Sequence, residues 1–142
     1  MKHTSLKWKS DYELGIQDID LQHHYFLDLI NRLSKQLGES DDLAYQDRLI
    51  NELNAYARFH FISEENIMYK AGYPELQAHK RHHQQLLDRL SAKGAVLQLR
   101  LSEQNTQDII DFLVDWFLNH TNAEDRLFAD FLHRKRRADG PD

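Results

Sequence analysis

Apolar residues return every three or four positions along nearly the whole chain, the period of helices that each bury one face. A first helix is predicted over about residues 18–37, with a stripe of Phe26, Leu27, Ile30, Leu33 and Leu37, ended by Gly38 and the polar run Glu39 to Asp42. A second, over about 43–70, carries Leu49, Leu53, Tyr56, Ala57, Ile67 and Met68, and Gly72-Tyr73-Pro74 breaks it. A third, over about 75–101, carries Leu86, Leu87, Leu90 and Leu97, with Gly94 as a bend or close-packing point. A fourth starts at Ser102 with Ile109, Ile110, Leu113, Trp116 and Phe117, and a further turn or two runs through Phe128 and Leu132. Short connections between four stripes predict an all-α fold, an antiparallel up-down-up-down four-helix bundle with an N-terminal arm and a short C-terminal helix. Residues 1–17 are expected to form the arm, 18–133 the bundle and 134–142 a polar tail, all within one domain.

The polar positions change this picture at a few points on the stripes. His23, His60, Glu64, His79, His83, His120 and Asp125 lie on the apolar faces of four separate helices. Alternating helix direction brings the starts of the first and third helices level with the finishes of the second and fourth, so all seven are expected at one height in the core. His60 with Glu64, and His79 with His83, are four apart and share a face. His120 and Asp125 are five apart, which predicts an irregular turn around Thr121 to Ala123 if both are to face inward. Any one of these residues alone reads as a hydrogen-bonded core histidine or a surface carboxylate. Together they would leave several imidazoles and two carboxylates uncompensated in one core, which a metal centre explains. His24 and His82 fall on polar faces, although a pairing of His79 with His82 is the alternative to His79 with His83. His3 and His133 sit in polar terminal segments with no specific role expected.

Composition narrows the chemistry. The chain has 142 residues and a formal net charge of −5, which argues against a general nucleic-acid or membrane-surface binder. No cysteine is present, so only imidazole and carboxylate can hold a metal. Five imidazoles and two carboxylates exceed what one zinc ion takes and are the wrong donors for calcium or magnesium. Two iron ions fit best, with carboxylates able to bridge them. The N-terminal segment lacks the apolar stretch of a secretory signal, and the protein is expected in the cytoplasm, as a monomer, signalling only through an unidentified protein partner if it signals at all.

The sequence resembles the hemerythrins, most closely the single-domain bacterial hemerythrins. The resemblance is carried by Trp8 and Tyr12 with Gly15-Ile16, by Asp20-Leu21-Gln22-His23, by His60-Phe61 with Glu64-Glu65, by Gly72-Tyr73-Pro74, by His79 with His83, and by Trp116 with His120 and Asp125. It implies that His79, His83 and His120 hold one iron and His23 and His60 the other, with Glu64, Asp125 and a solvent-derived oxygen as bridges. It also implies that dioxygen binds reversibly at the iron with fewer ligands, in a pocket of Phe61, Leu86, Trp116, Phe117 and Thr121. Thr121 departs from the family's usual aliphatic residue, and Phe117 and Leu86 differ in size from its commonest choices. The expectation is a binding protein with no catalytic residues, for oxygen storage, delivery or sensing. A di-iron oxidase, peroxidase or nitric-oxide-handling enzyme is the alternative, and a zinc- or manganese-loaded bundle a third. The chain lacks the Glu-x-x-His motifs of carboxylate-rich di-iron oxidases, which favours binding over catalysis.

Overall fold

A computed structural model describes residues 6–39 and 42–139, with the side chains of all these except 38, 39, 121 and 122. The helices are α1 (Gln17–Glu39), α2 (Leu43–Ala71), α3 (Leu76–Leu99), α4 (Glu103–His120) and α5 (Arg126–Ala138), with a π turn (Thr121–Asp125) joining the last two. No strand is present among the described residues. α1 packs against α2 and α4, and α3 against α2 and α4, so the four long helices form the expected antiparallel bundle.

Local chemistry sets most of the boundaries. Asp42 caps α2 by accepting a hydrogen bond from the Tyr45 amide, and Ser102 Oγ accepts from the Asn105 amide at the start of α4. Gly72 closes α2 in the left-handed region at φ 71°, returning its N–H to the carbonyls of Met68 and Tyr69. Two details differ from expectation. Gly38 lies inside the last turn of α1 and does not end it. A Cβ at Gly94 would meet nothing within 4 Å, and α3 runs unbroken through it, so that glycine is not a close-packing point.

The core divides into two apolar layers. The larger joins Phe26, Ile30 and Leu33 of α1, Leu53 and Phe61 of α2, Leu87 and Leu90 of α3, and Leu113 and Phe117 of α4. The smaller joins Leu14, Ile16, Ile19, Met68, Phe128, Ala129 and Leu132. Each fully buried large apolar side chain contributes about 1.5–3 kcal/mol. Chain order shows what lies between the layers: Ile19 and Phe26 flank His23, Phe61 and Met68 flank Glu64, and Phe117 and Phe128 flank His120 and Asp125.

α5 extends through Ala138, so the segment from Arg134, expected as tail, continues the helix, and its last turn carries Lys135, Arg136 and Arg137 where the helix dipole favours them. It also fastens the arm. Arg126 donates to the carbonyls of Glu13 and Asp11, and His133 Nε2 donates to the Leu14 carbonyl at 2.7 Å, a structural role that its polar terminal setting did not suggest. The Asp20 carboxylate accepts from the amides of Leu14 and Gly15, the latter at φ 77°. Higher up, Asn31 bonds both the N–H and the carbonyl of Leu6, and Trp8 stacks on the His24 ring at 3.6 Å.

Candidate metal centre

All seven expected ligands meet in the layer between the two apolar clusters, each 9% exposed or less. On a regular α-helix, residues five apart point about 140° away from each other. The π turn ends at Asp125, and its wider i→i+5 repeat brings that carboxylate under His120. His82, the alternative partner for His79, is exposed, whereas His83 is buried.

The donor atoms form two overlapping groups, His79, His83, His120 with Asp125, and His23, His60, Glu64 with Asp125, each with its ligand atoms within 4.8 Å of one another. Both carboxylates divide their oxygens between the imidazole sets. Glu64 Oε1 lies 2.7 Å from His79 Nε2 and 3.2 Å from His83 Nε2, while Oε2 lies 3.4 Å from His60 Nε2 and 4.0 Å from His23 Nε2. Asp125 Oδ1 lies 3.1 Å from His79 and 3.7 Å from His120, while Oδ2 lies 3.2 Å from His23.

Two further residues, Glu65 and Gln22, decide how the imidazoles face. His83 Nδ1 donates to Glu65 Oε2 at 2.7 Å, and His60 Nδ1 donates to Gln22 Oε1 at 2.7 Å. Gln22 is held in turn by Ser63 Oγ and by the Tyr56 hydroxyl on its carbonyl. Once Nδ1 carries the proton, Nε2 of each ring presents a lone pair to the centre. Two acceptors, imidazole Nε2 and carboxylate oxygen, then face each other with no proton between them, an arrangement that needs a cation. His83 Nε2, His120 Nε2, Glu64 Oε2 and Asp125 Oδ1 are buried without a hydrogen-bond partner, as metal-facing atoms should be. The donor set therefore fits a pair of imidazole- and carboxylate-bound metal ions.

Without metal, protons take part of the cation's place. Burial would lower His79, but the adjacent Asp125 and Glu64 carboxylates outweigh it and raise its pKa to about 10. Burial acts the same way on His23, and Asp125 and Glu64 likewise hold it above its ordinary value. Burial prevails at His60, which is lowered, and at His120, lowered to about 4. For Glu64, burial would raise the carboxyl, yet the surrounding imidazoles of His60, His79 and His83 hold it well below the usual range.

The expected pocket residues surround this layer on different sides. Phe61 stacks on His83 at 3.9 Å, and Trp116 stacks on His120 at 5.5 Å. Phe117 meets His23 edge-on at 6.0 Å. Leu86, Phe61 and Trp116 line an apolar void of about 10 Å³, the size of one water-sized sphere and without polar partners for a water. The Thr121 side chain lies outside the described residues.

Fold and site together define a class, the four-helix bundles that gather imidazoles and carboxylates at mid-core. The sequence model of the hemerythrin HHE cation binding domain matches residues 14–134, and the chain belongs to that family. Its relatives include a bacteriohemerythrin of Stenotrophomonas maltophilia, 34% identical over 129 residues, 88% of this chain and 80% of the relative. Another from Methylococcus capsulatus is 33% identical, covering 87% of this chain and 92% of its own length. A third, from Clostridium acetobutylicum, is 29% identical, with 87% and 98% covered. No helix among the described residues is long and apolar enough to cross a membrane.

Proposed function

We propose that His79, His83 and His120 hold one iron ion, His23 and His60 a second, and Glu64 and Asp125 bridge them, and that the chain binds dioxygen reversibly for storage, delivery or sensing. The observation that carries this reading is the division of each carboxylate between a three-imidazole and a two-imidazole set. The same seven donors grouped around one ion would leave no reason for that split.

Ferrous iron, when bound, supplies the electrons with which dioxygen is held. The protein's part is to position and to exclude. Nδ1 donation to Glu65 and Gln22 fixes the His83 and His60 rings, and the Phe61, Trp116 and Phe117 rings keep water from the donors. Two carboxylates among seven ligands bring less negative charge than carboxylate-rich oxidase sites, which disfavours cleavage of the O–O bond. The test is anaerobic loading with ferrous iron, exposure to air, then removal of oxygen, with the visible spectrum recorded throughout. A band that grows with oxygen and vanishes on its removal is expected. A spectrum that passes irreversibly to ferric product, with steady turnover on adding a reductant, would replace binding by oxidase or peroxidase chemistry.

A further inference from the structure

Every ligand of the centre is buried, so an ion must pass through the surface to reach it. Among the described residues, two surface cavities abut ligands, and their charges differ. One, of about 220 Å³, is lined by Tyr73, Glu75, His79, His82, Glu124 and Leu127. The other, of about 160 Å³, reaches His83 but carries Arg58 and Lys80, and its carboxylate, Glu65, is engaged by His83.

We propose that the first cavity is the mouth through which a divalent cation reaches the centre, with Glu75, His82 and Glu124 taking the ion from solvent and His79 receiving it. This rests on the reading of the centre as a metal site. His79 lies closer than His23 to the two carboxylates together, at 2.7 and 3.1 Å, so an ion delivered there meets Glu64 and Asp125 together. The His82 ring lies 6.2 Å from that of His120, whose Nε2 is buried without a hydrogen-bond partner. Glu75 occupies the N-cap position of α3, yet its side chain makes no capping bond. Glu124 sits in the π turn directly before Asp125. The Tyr73 hydroxyl registers the field in the cavity: burial raises its pKa, and Glu75, Glu124 and Asp125 raise it further, with Arg134 opposing. Such a field concentrates cations at the mouth, while Arg58 and Lys80 repel them from the other cavity.

The experiment mixes the metal-free full chain with Co²⁺ in a stopped-flow instrument and follows ligand-field absorption, a readout that needs neither iron nor oxygen. The variant Glu75→Gln/His82→Gln/Glu124→Gln should take up Co²⁺ about tenfold more slowly, reach the same final stoichiometry, and lose much of the salt dependence of the unaltered chain. The double variant Glu75→Gln/His82→Gln, altered only at exposed positions, should be slowed to a smaller degree, and it decides the matter if the triple variant does not fold. Arg58→Gln/Lys80→Gln should be no slower than the unaltered chain. Uptake at the unaltered rate in the acidic-mouth variants, or slowing matched by the Arg58/Lys80 variant, would overturn the proposal. Failure of the unaltered chain to take up Co²⁺ at all would instead overturn the metal-site reading beneath it.

Discussion

The two halves of the centre are built from the same donors but supported differently. On the three-imidazole side, His83 leans on a carboxylate, Glu65, at 2.7 Å, and on the two-imidazole side His60 leans on a neutral amide, Gln22, at the same distance. A carboxylate partner makes an imidazole a stronger donor than an amide does. On the proposed assignment, the side with more ligands would also have the stronger support behind its imidazole, and the side with fewer would be left the weaker and more open to an exogenous ligand. Unequal ligand number and unequal support point the same way.

The largest effect is expected from removing what the halves share. Glu64→Ala should abolish loading of both ions, measured as metal per chain, because each half loses a ligand at once; retention of two ions would dissolve the picture of a shared bridge. Next come substitutions on one side. His60→Ala should eliminate the oxygen-dependent spectrum while leaving one ion bound, whereas His83→Ala should cost metal first; identical losses from both would mean that the halves are equivalent. Glu65→Gln should weaken metal binding by about 10–100-fold, with a smaller effect from Gln22→Ala, read by competition with a chromophoric chelator.

The smallest effect concerns protons. Free His79, with a pKa of about 10 in place of 6.5, still holds its proton through that interval, and loading must expel it. Metal affinity should therefore keep rising with pH between those values. Ordinary imidazoles would give an affinity already level by about pH 8, and a flat profile there would show that His79 is not raised.

Much of the fold was readable because the helices bury narrow stripes and because Asp42, Gly72 and Ser102 mark their ends in chemically unambiguous ways. The length of α5 was not, since beyond Leu132 its residues are nearly all charged and nothing apolar records that the helix continues. The seven clustered residues stood out because histidine and carboxylate interrupt apolar stripes. Glu65 and Gln22 gave no such signal. Both look like solvent-facing polar neighbours of a ligand, and each acts across a helix pair, 18 and 38 residues from the imidazole it holds. His133 was equally silent, because its partner is a backbone carbonyl 119 residues away. Spacing along a helix reports what shares a face, and it carries no record of what reaches over from the next one.

The π turn has a consequence beyond placing Asp125. It adds one residue to what would otherwise be a continuous α-helix from α4 into α5, and every later position is phased by that addition. Deleting Ala123 would turn α5 by about 100° about its axis, carrying Phe128 and Leu132 away from Met68 and Ile19 and moving Arg126 and His133 off the arm they clasp. Length in this stretch is therefore under a strict constraint of its own: a single-codon deletion unseats Asp125, the lower core and the N-terminal arm in one event.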